Sequence, residues 1–233
     1  MGKVFERETN GLKQHLLQIA EIVETQVRTA MQSLVERNPE MAAQVIELDR
    51  KVDQEEVLLE EECLKLLALH QPVAHDLRLI IAALKINNDL ERIGDLASKI
   101  AKCVRNLCTL EPIAVPEKLE EMSKKTKLMF KKSLLSFLEL DADFAREAMR
   151  ADDEIDDLNR SLRSFLAEQI HSNPAKTSQL LLLLDITKAH ERIADQASNI
   201  AEDVVYLLEG DIVRHGLHRV PADKRPGDIS RIK

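Results

Sequence analysis

The sequence predicts an all-α chain folded as two tandem, pseudo-symmetric three-helix bundles. Three observations carry that expectation. Of 233 residues, 44% are hydrophobic and 32% charged, with six glycines, seven prolines and no tryptophan; long amphipathic helices have this composition. Apolar residues recur at helical spacing, and no stretch sustains the alternation of a strand. The chain also repeats itself: ten of the 18 positions in 84–101 recur in 184–201.

The breakers divide the chain into six helical segments. The first, 4–37, carries Leu12, Leu16, Ile19, Val23, Val27, Ala30, Met31 and Leu34 on one stripe and stops at "RNPE" (37–40). The second, 40–70, ends at "LHQPVAHD" (69–76). The third, 73–109, ends at "TLEPIAVPEK", where two prolines interrupt the periodicity. The fourth and fifth are 116–140 and 142–171, closed by the Asn-Pro of "HSNPAKT". The sixth, 175–209, ends at the glycine of "LEGD". Segment three resembles segment six at an offset of 100, and "LDRKVDQEE" (48–56) resembles "ADDEIDDLN" (151–159) at an offset of 103. Two three-helix units, 1–111 and 116–210, are the economical reading. The remainder, 211–233, is rich in proline, glycine and basic residues and reads as a loosely ordered tail.

Charge and cysteine content narrow the function classes. A net charge of −8, with one tyrosine and five phenylalanines, argues against nucleic-acid binding. The three cysteines show no C-x-x-C spacing and read as reduced thiols. The N-terminus lacks the apolar run of a signal peptide, and "LLLLLDI" is too short to cross a bilayer. The expectation is a cytoplasmic protein with no membrane insertion. No glycine-rich phosphate loop occurs.

The repeat contains an acidic pair twice. With Ile93 at the centre of the apolar face, Ile86, Leu90, Ala97, Ile100 and Val104 lie within about 60° of it. Glu91 and Asp95 fall near the opposite pole, and Glu191 and Asp195 do the same around Ile193. On the preceding segments, Asp49 and Asp53 flank Val52, and Asp152 and Asp156 flank Ile155. Antiparallel neighbours would bring the pairs together over a surface groove. Like charges four apart cost only a few tenths of a kcal/mol, and Lys99 stands four residues after Asp95 to compensate. A solvated acidic face and a cation site both fit, since clustered carboxylates suit iron, manganese, magnesium or zinc.

Other candidates have plainer readings. Arg92 and Arg192 follow the Glu of each pair and read as ion-pairing residues or as partner contacts. His190 falls nearer the apolar flank than Glu191 and reads as a packing residue. "EQIH" (168–171) is a single E-x-x-H, whereas di-iron carboxylate bundles need two, with further inward-facing Glu residues. The basic run "SKKTKLMFKKS" (123–133) reads as a solvated helix face or as a surface for an acidic partner.

The stretches "NDLERIGDLASKIA" and "HERIADQASNIAEDVVYLLEGDIVRH" resemble the paired signatures of the PhoU family, and the likeness extends along essentially the whole chain. It implies an all-helical, cytoplasmic, non-enzymatic negative regulator of the phosphate-starvation response. The implied partners are the ATPase of the phosphate ABC transporter and a sensor histidine kinase. Some members bind multinuclear iron or zinc clusters at paired acidic motifs. The matching positions here are Asp49, Asp53, Glu91 and Asp95, then Asp152, Asp156, Glu191 and Asp195. A homodimer is a further expectation. Gln196 stands where relatives commonly carry His, and Lys188 replaces the counterpart Asn88, so the second site is expected to be the weaker. The alternatives are a metal-free helical adaptor and a carboxylate-bridged metalloenzyme.

Overall fold

The computed structural model describes residues 3–210. Among them are seven α-helices: α1 (Lys3–Val35), α2 (Pro39–His70), α3 (Ala74–Cys108), α4 (Glu117–Glu139), α5 (Ala142–Arg150), α6 (Asp152–Ser172) and α7 (Thr177–Glu209). A 3-10 turn, Pro174–Lys176, precedes α7. The tail expected over 211–233 lies outside the described residues.

Local chemistry sets the helix limits. Arg37 takes φ +52° after α1, and Asn38 then caps α2 by accepting from the Met41 amide at 3.0 Å, with Pro39 in the first turn. Gln71 stops α2 in the left-handed region, its N–H donating to the Leu67 carbonyl. Gly210 ends α7 at φ +74°, donating to the Tyr206 carbonyl at 2.9 Å.

The predicted fifth segment, 142–171, is two helices. Asp141 caps α5 by accepting from the Asp143 and Phe144 amides. At Ala151 the N–H donates to Ala148 and Met149, a tightened last turn. Asp152, Asp153 and Glu154 follow. Three consecutive acids suit the positive end of a helix dipole better than a helix interior, so the chain restarts there.

The helices α1, α2 and α3 pack on one another, and α4, α5 and α6 pack against α7. The most extensive contact joins α3 to α7. These two run antiparallel: Lys85, near the start of α3, pairs with Asp203, near the end of α7, at 3.0 Å. The core is therefore continuous between the units. Ile93, Ala97 and Ile100, and their counterparts Ile193, Ala197 and Ile200, are all fully buried. Each such Ile contributes about 1.5–3 kcal/mol of burial free energy.

The buried arc of α3 is wider than its apolar stripe. Asn87, Asp89, Gly94 and Ser98 are buried with the hydrophobic residues, because α3 faces α1 and α2 on one side and α7 on the other. Cys63 and Cys103 are buried and Cys108 half-buried, all as free thiols. Burial pushes the Cys63 thiol up to about 12, which makes it a poor nucleophile.

Candidate carboxylate faces on the two units

The first face lies where α2 crosses α3. Here α3 carries Gly94 between Glu91 and Asp95, and a Cβ at Gly94 would stand 3.5 Å from Val52 and 3.6 Å from Asp49 Oδ1. The glycine thus lets the two helices approach closely. On α2, Asp49 is half-buried and Asp53 exposed; on α3, Glu91 is half-buried and Asp95 exposed. Burial, then the charges of Asp95, Glu56 and Asp53, hold the Glu91 carboxyl above its ordinary value, with Arg92 opposing. Burial and the charges of Asp49 and Asp53 raise Asp95, with Lys102 opposing. The opposing charge is thus Lys102, where the sequence suggested Lys99; Lys99 acts on Cys103 instead. The four predicted acids of this unit share one field.

Glu56 joins them. Burial and the neighbouring Glu60 and Asp53 raise its carboxyl. Sequence reasoning missed it, although its spacing from Asp49 and Asp53 puts all three on one helical face. Its counterpart at the offset of 103 is Asn159, which is buried with its Oδ1 unpartnered. The two faces are therefore chemically unequal.

The second face lies where α6 crosses α7. Asp152, Asp156 and Glu191 are half-buried and Asp195 is exposed. Asp152 is raised to about 6 by burial, then by Asp195, Asp156, Asp153 and Glu191. Burial, Glu191 and Asp156 raise Asp195, with Arg192 opposing. In each unit the acids of successive helices thus feel one another's charge.

Under the first face lies a polar residue that the sequence did not single out. Gln26 of α1 is fully buried. Its Nε2 donates towards the Val45 carbonyl at 3.4 Å and Asp49 Oδ1 at 3.5 Å, and its Oε1 has no partner. A buried oxygen left unpaired costs about 1–3 kcal/mol.

The donor sets are all oxygen, which suits hard cations. Among the described residues, however, no three His, Cys, Asp or Glu side chains are gathered closely enough to hold one ion. The carboxylates act on one another as a repelling group.

The sequence profile described as the PhoU domain matches this chain twice, over residues 16–104 and 119–204. The chain belongs to the PhoU family. The two matches each span one of the carboxylate faces. A relative from Pseudomonas putida, described as "Phosphate-specific transport system accessory protein PhoU homolog", is 37% identical over 226 residues, covering 96% of this chain and 88% of its own. A crystal structure of PhoU from Pseudomonas aeruginosa superposes with a TM-score of 0.86 at 35% identity, covering 89% of this chain and all of the other. A second, the phosphate transport system regulatory protein PhoU from Streptococcus pneumoniae, gives 0.85 at 31% identity over 90% and 99% of the two chains.

The remaining candidates of this PhoU chain fall into place beside the faces. Arg92 and Arg192 are exposed, and each lowers one adjacent acid. Arg92 also lines a cleft between α3 and α7 with Asn88 and Asn199. His190 is fully buried, as its place on the wheel predicts. Gln196 is half-buried with its Oε1 unpartnered. Glu168 and His171 are exposed at the end of α6, so the E-x-x-H does not face inward. Part of the basic run is tied to neighbouring helices: Lys125 pairs with Glu154 at 2.7 Å and Lys132 with Glu147 at 3.0 Å. Lys124 and Lys131 remain exposed. Among the described residues, no helix is long and apolar enough to cross a membrane.

Proposed function

We propose that this chain is an accessory regulator of phosphate-specific transport. It acts by binding other proteins: the ATPase of the phosphate transporter and the sensor histidine kinase that reports phosphate supply. The result is cytoplasmic, non-catalytic, negative control of the starvation response. The observation that carries this reading is the match of both repeats to the PhoU domain, together with relatives that align along nearly the whole chain and carry accessory or regulatory names. The exposed position of Glu168 and His171 speaks against an inward-facing oxidase centre. A pull-down from a strain with tagged ATPase and kinase tests the reading: the chain should retain both. A chain that binds neither, and whose deletion leaves starvation-gene expression repressed in high phosphate, overturns it.

The finer part of the reading assigns cations, iron or zinc, to the two carboxylate faces. Mutual repulsion among the acids supports it, because a bound cation removes that cost. So does the unpaired Gln26 oxygen beside Asp49. A cation would stiffen each crossing and present a defined surface to a partner. Asp152 makes the reading testable. Its folded pKa of about 6 stands above the ordinary 3.8 of an aspartate. An acid raised by folding destabilises the folded state where it is ionised, so stability rises as pH falls from above 6 towards 3.8. Asp152→Asn should therefore stabilise metal-free protein at pH 7 by about 1 kcal/mol, allowing for solvent screening. It should also shrink the rise in melting temperature that Fe²⁺ or Zn²⁺ produces. Elemental analysis of protein purified without chelator or nickel provides the direct measurement. Protein that contains no metal and melts unchanged with either ion supports the metal-free adaptor instead.

A further inference from the structure

Resting on the cation reading of the carboxylate faces, we propose that Gln26 is a positioning residue for the first face, holding Asp49 of α2 towards Asp95 of α3. Gln26 belongs to the third helix of this unit, α1, which contributes no carboxylate to the face. It is fully buried, yet one of its two hydrogen bonds goes to a carboxylate of the face. Its Nε2 reaches Asp49 Oδ1 at 3.5 Å and the Val45 carbonyl, one turn earlier on α2, at 3.4 Å. Its Oε1 has no partner and lies 3.1 Å from where a Gly94 Cβ would stand, the point also 3.6 Å from Asp49 Oδ1.

A fully buried amide with one end unsatisfied is a poor choice for core packing, where Leu or Met would fill the space without a polar penalty. The arrangement has a use if Asp49 must keep one oxygen anchored and present the other. Unanchored, Asp49 would swing away from Asp95, whose carboxyl already feels its charge. The amide donor makes that swing unfavourable, and the absence of a side chain at Gly94 leaves the amide room to make the contact. Groups that orient a ligand in this way commonly change metal affinity about 10–100-fold when removed. The two domain matches begin at residues 16 and 119, and at that offset of 103 the counterpart of Gln26 is Met129, a fully buried side chain with no amide. The positioning amide therefore belongs to the first face alone.

The test uses the full chain and Zn²⁺, followed by isothermal titration after chelator treatment and dialysis. Two backgrounds isolate the faces: Asp152→Asn with Asp195→Asn leaves the first, and Asp49→Asn with Asp95→Asn leaves the second. In the first background Gln26→Leu should weaken Zn²⁺ binding at least about tenfold; in the second it should change nothing. The metal-free melting temperature should hold within about 3 °C or rise, since a buried unsatisfied amide is gone. Gly94→Ala, which pushes a methyl at Gln26 Oε1, should give the same selective loss. Equal affinity in Gln26→Leu, or equal losses at both faces, overturns the positioning role while leaving the cation reading intact. If the unmutated chain takes up no Zn²⁺, the cation reading fails. The crystal structure of metal-free Gln26→Leu then decides the positioning role alone: Asp49 in a new rotamer upholds it, and Asp49 unmoved overturns it.

Discussion

His190 is a fully buried imidazole with no hydrogen-bond partner on either nitrogen. Burial pushes its pKa down to about 4, from an ordinary 6.5. The folded chain thus keeps the ring neutral while the unfolded chain protonates it below about 6.5. The unfolded state then binds more protons, so this group costs stability as pH falls from 6.5 to 4, and the loss levels below 4. His190→Leu copies Leu90, its fully buried repeat counterpart. It should raise stability at pH 7 by about 1 kcal/mol, or roughly 3 °C in melting temperature. It should also flatten the decline between pH 7 and pH 5. Melts of the two proteins at both pH values check this, since their carboxylates titrate alike; parallel declines would exonerate His190. The burial of His190 was legible from its place on the apolar flank of the wheel. Its lack of any partner was not, because partners come from other helices.

At the scale of the helix, the stops and starts follow local chemistry, and most were legible. Asn-Pro at 38–39 became a side-chain cap followed by Pro in the first turn. Asn38→Ala should cost about 1 kcal/mol and lower the melting temperature by roughly 2–4 °C, measured by circular dichroism; a shift below 1 °C would mean the cap is not limiting. The break at Ala151 was harder to see. Ala interrupts no helical pattern, and the apolar period runs on through Ala148 and Ile155, both fully buried. What ends α5 is the acid run that follows, and acids on a helix surface look alike in a sequence whether they start the helix or sit in its middle. The same ambiguity surrounded Glu56. It is one acid among several in 53–62, and only the neighbouring α3 singles it out.

For the whole molecule, the contact between α3 and α7 is decisive. Asp203 is almost fully buried, and Lys85 reaches it at 3.0 Å while standing 5.1 Å from the Tyr206 ring centroid. Removing one member of a charge-assisted hydrogen bond to a buried acid costs about 2 kcal/mol. Lys85→Ala should therefore lower the melting temperature by roughly 4–8 °C. Because the core runs through both units, calorimetry should still show one cooperative transition. Two separated transitions in the unmutated chain would mean that the units are thermodynamically independent.

The sequence by itself determined the helices and their limits to within a few residues, save the break between α5 and α6, and with them the two-fold repeat and the placing of each acidic pair on one face of its own helix. These follow from 3.6-residue periodicity and from caps, which are properties of a chain segment alone. Only the tertiary structure decided that the pairs of α2 and α3, and of α6 and α7, share a field. It also decided that Glu56 joins the first face, that Gln26 lies beneath it, and that α3 and α7 fuse the two units. A helical wheel describes one helix against an unspecified interior. Burial, electrostatic coupling and buried polar contacts depend on which helix lies opposite, and that is settled by packing between residues far apart in the chain.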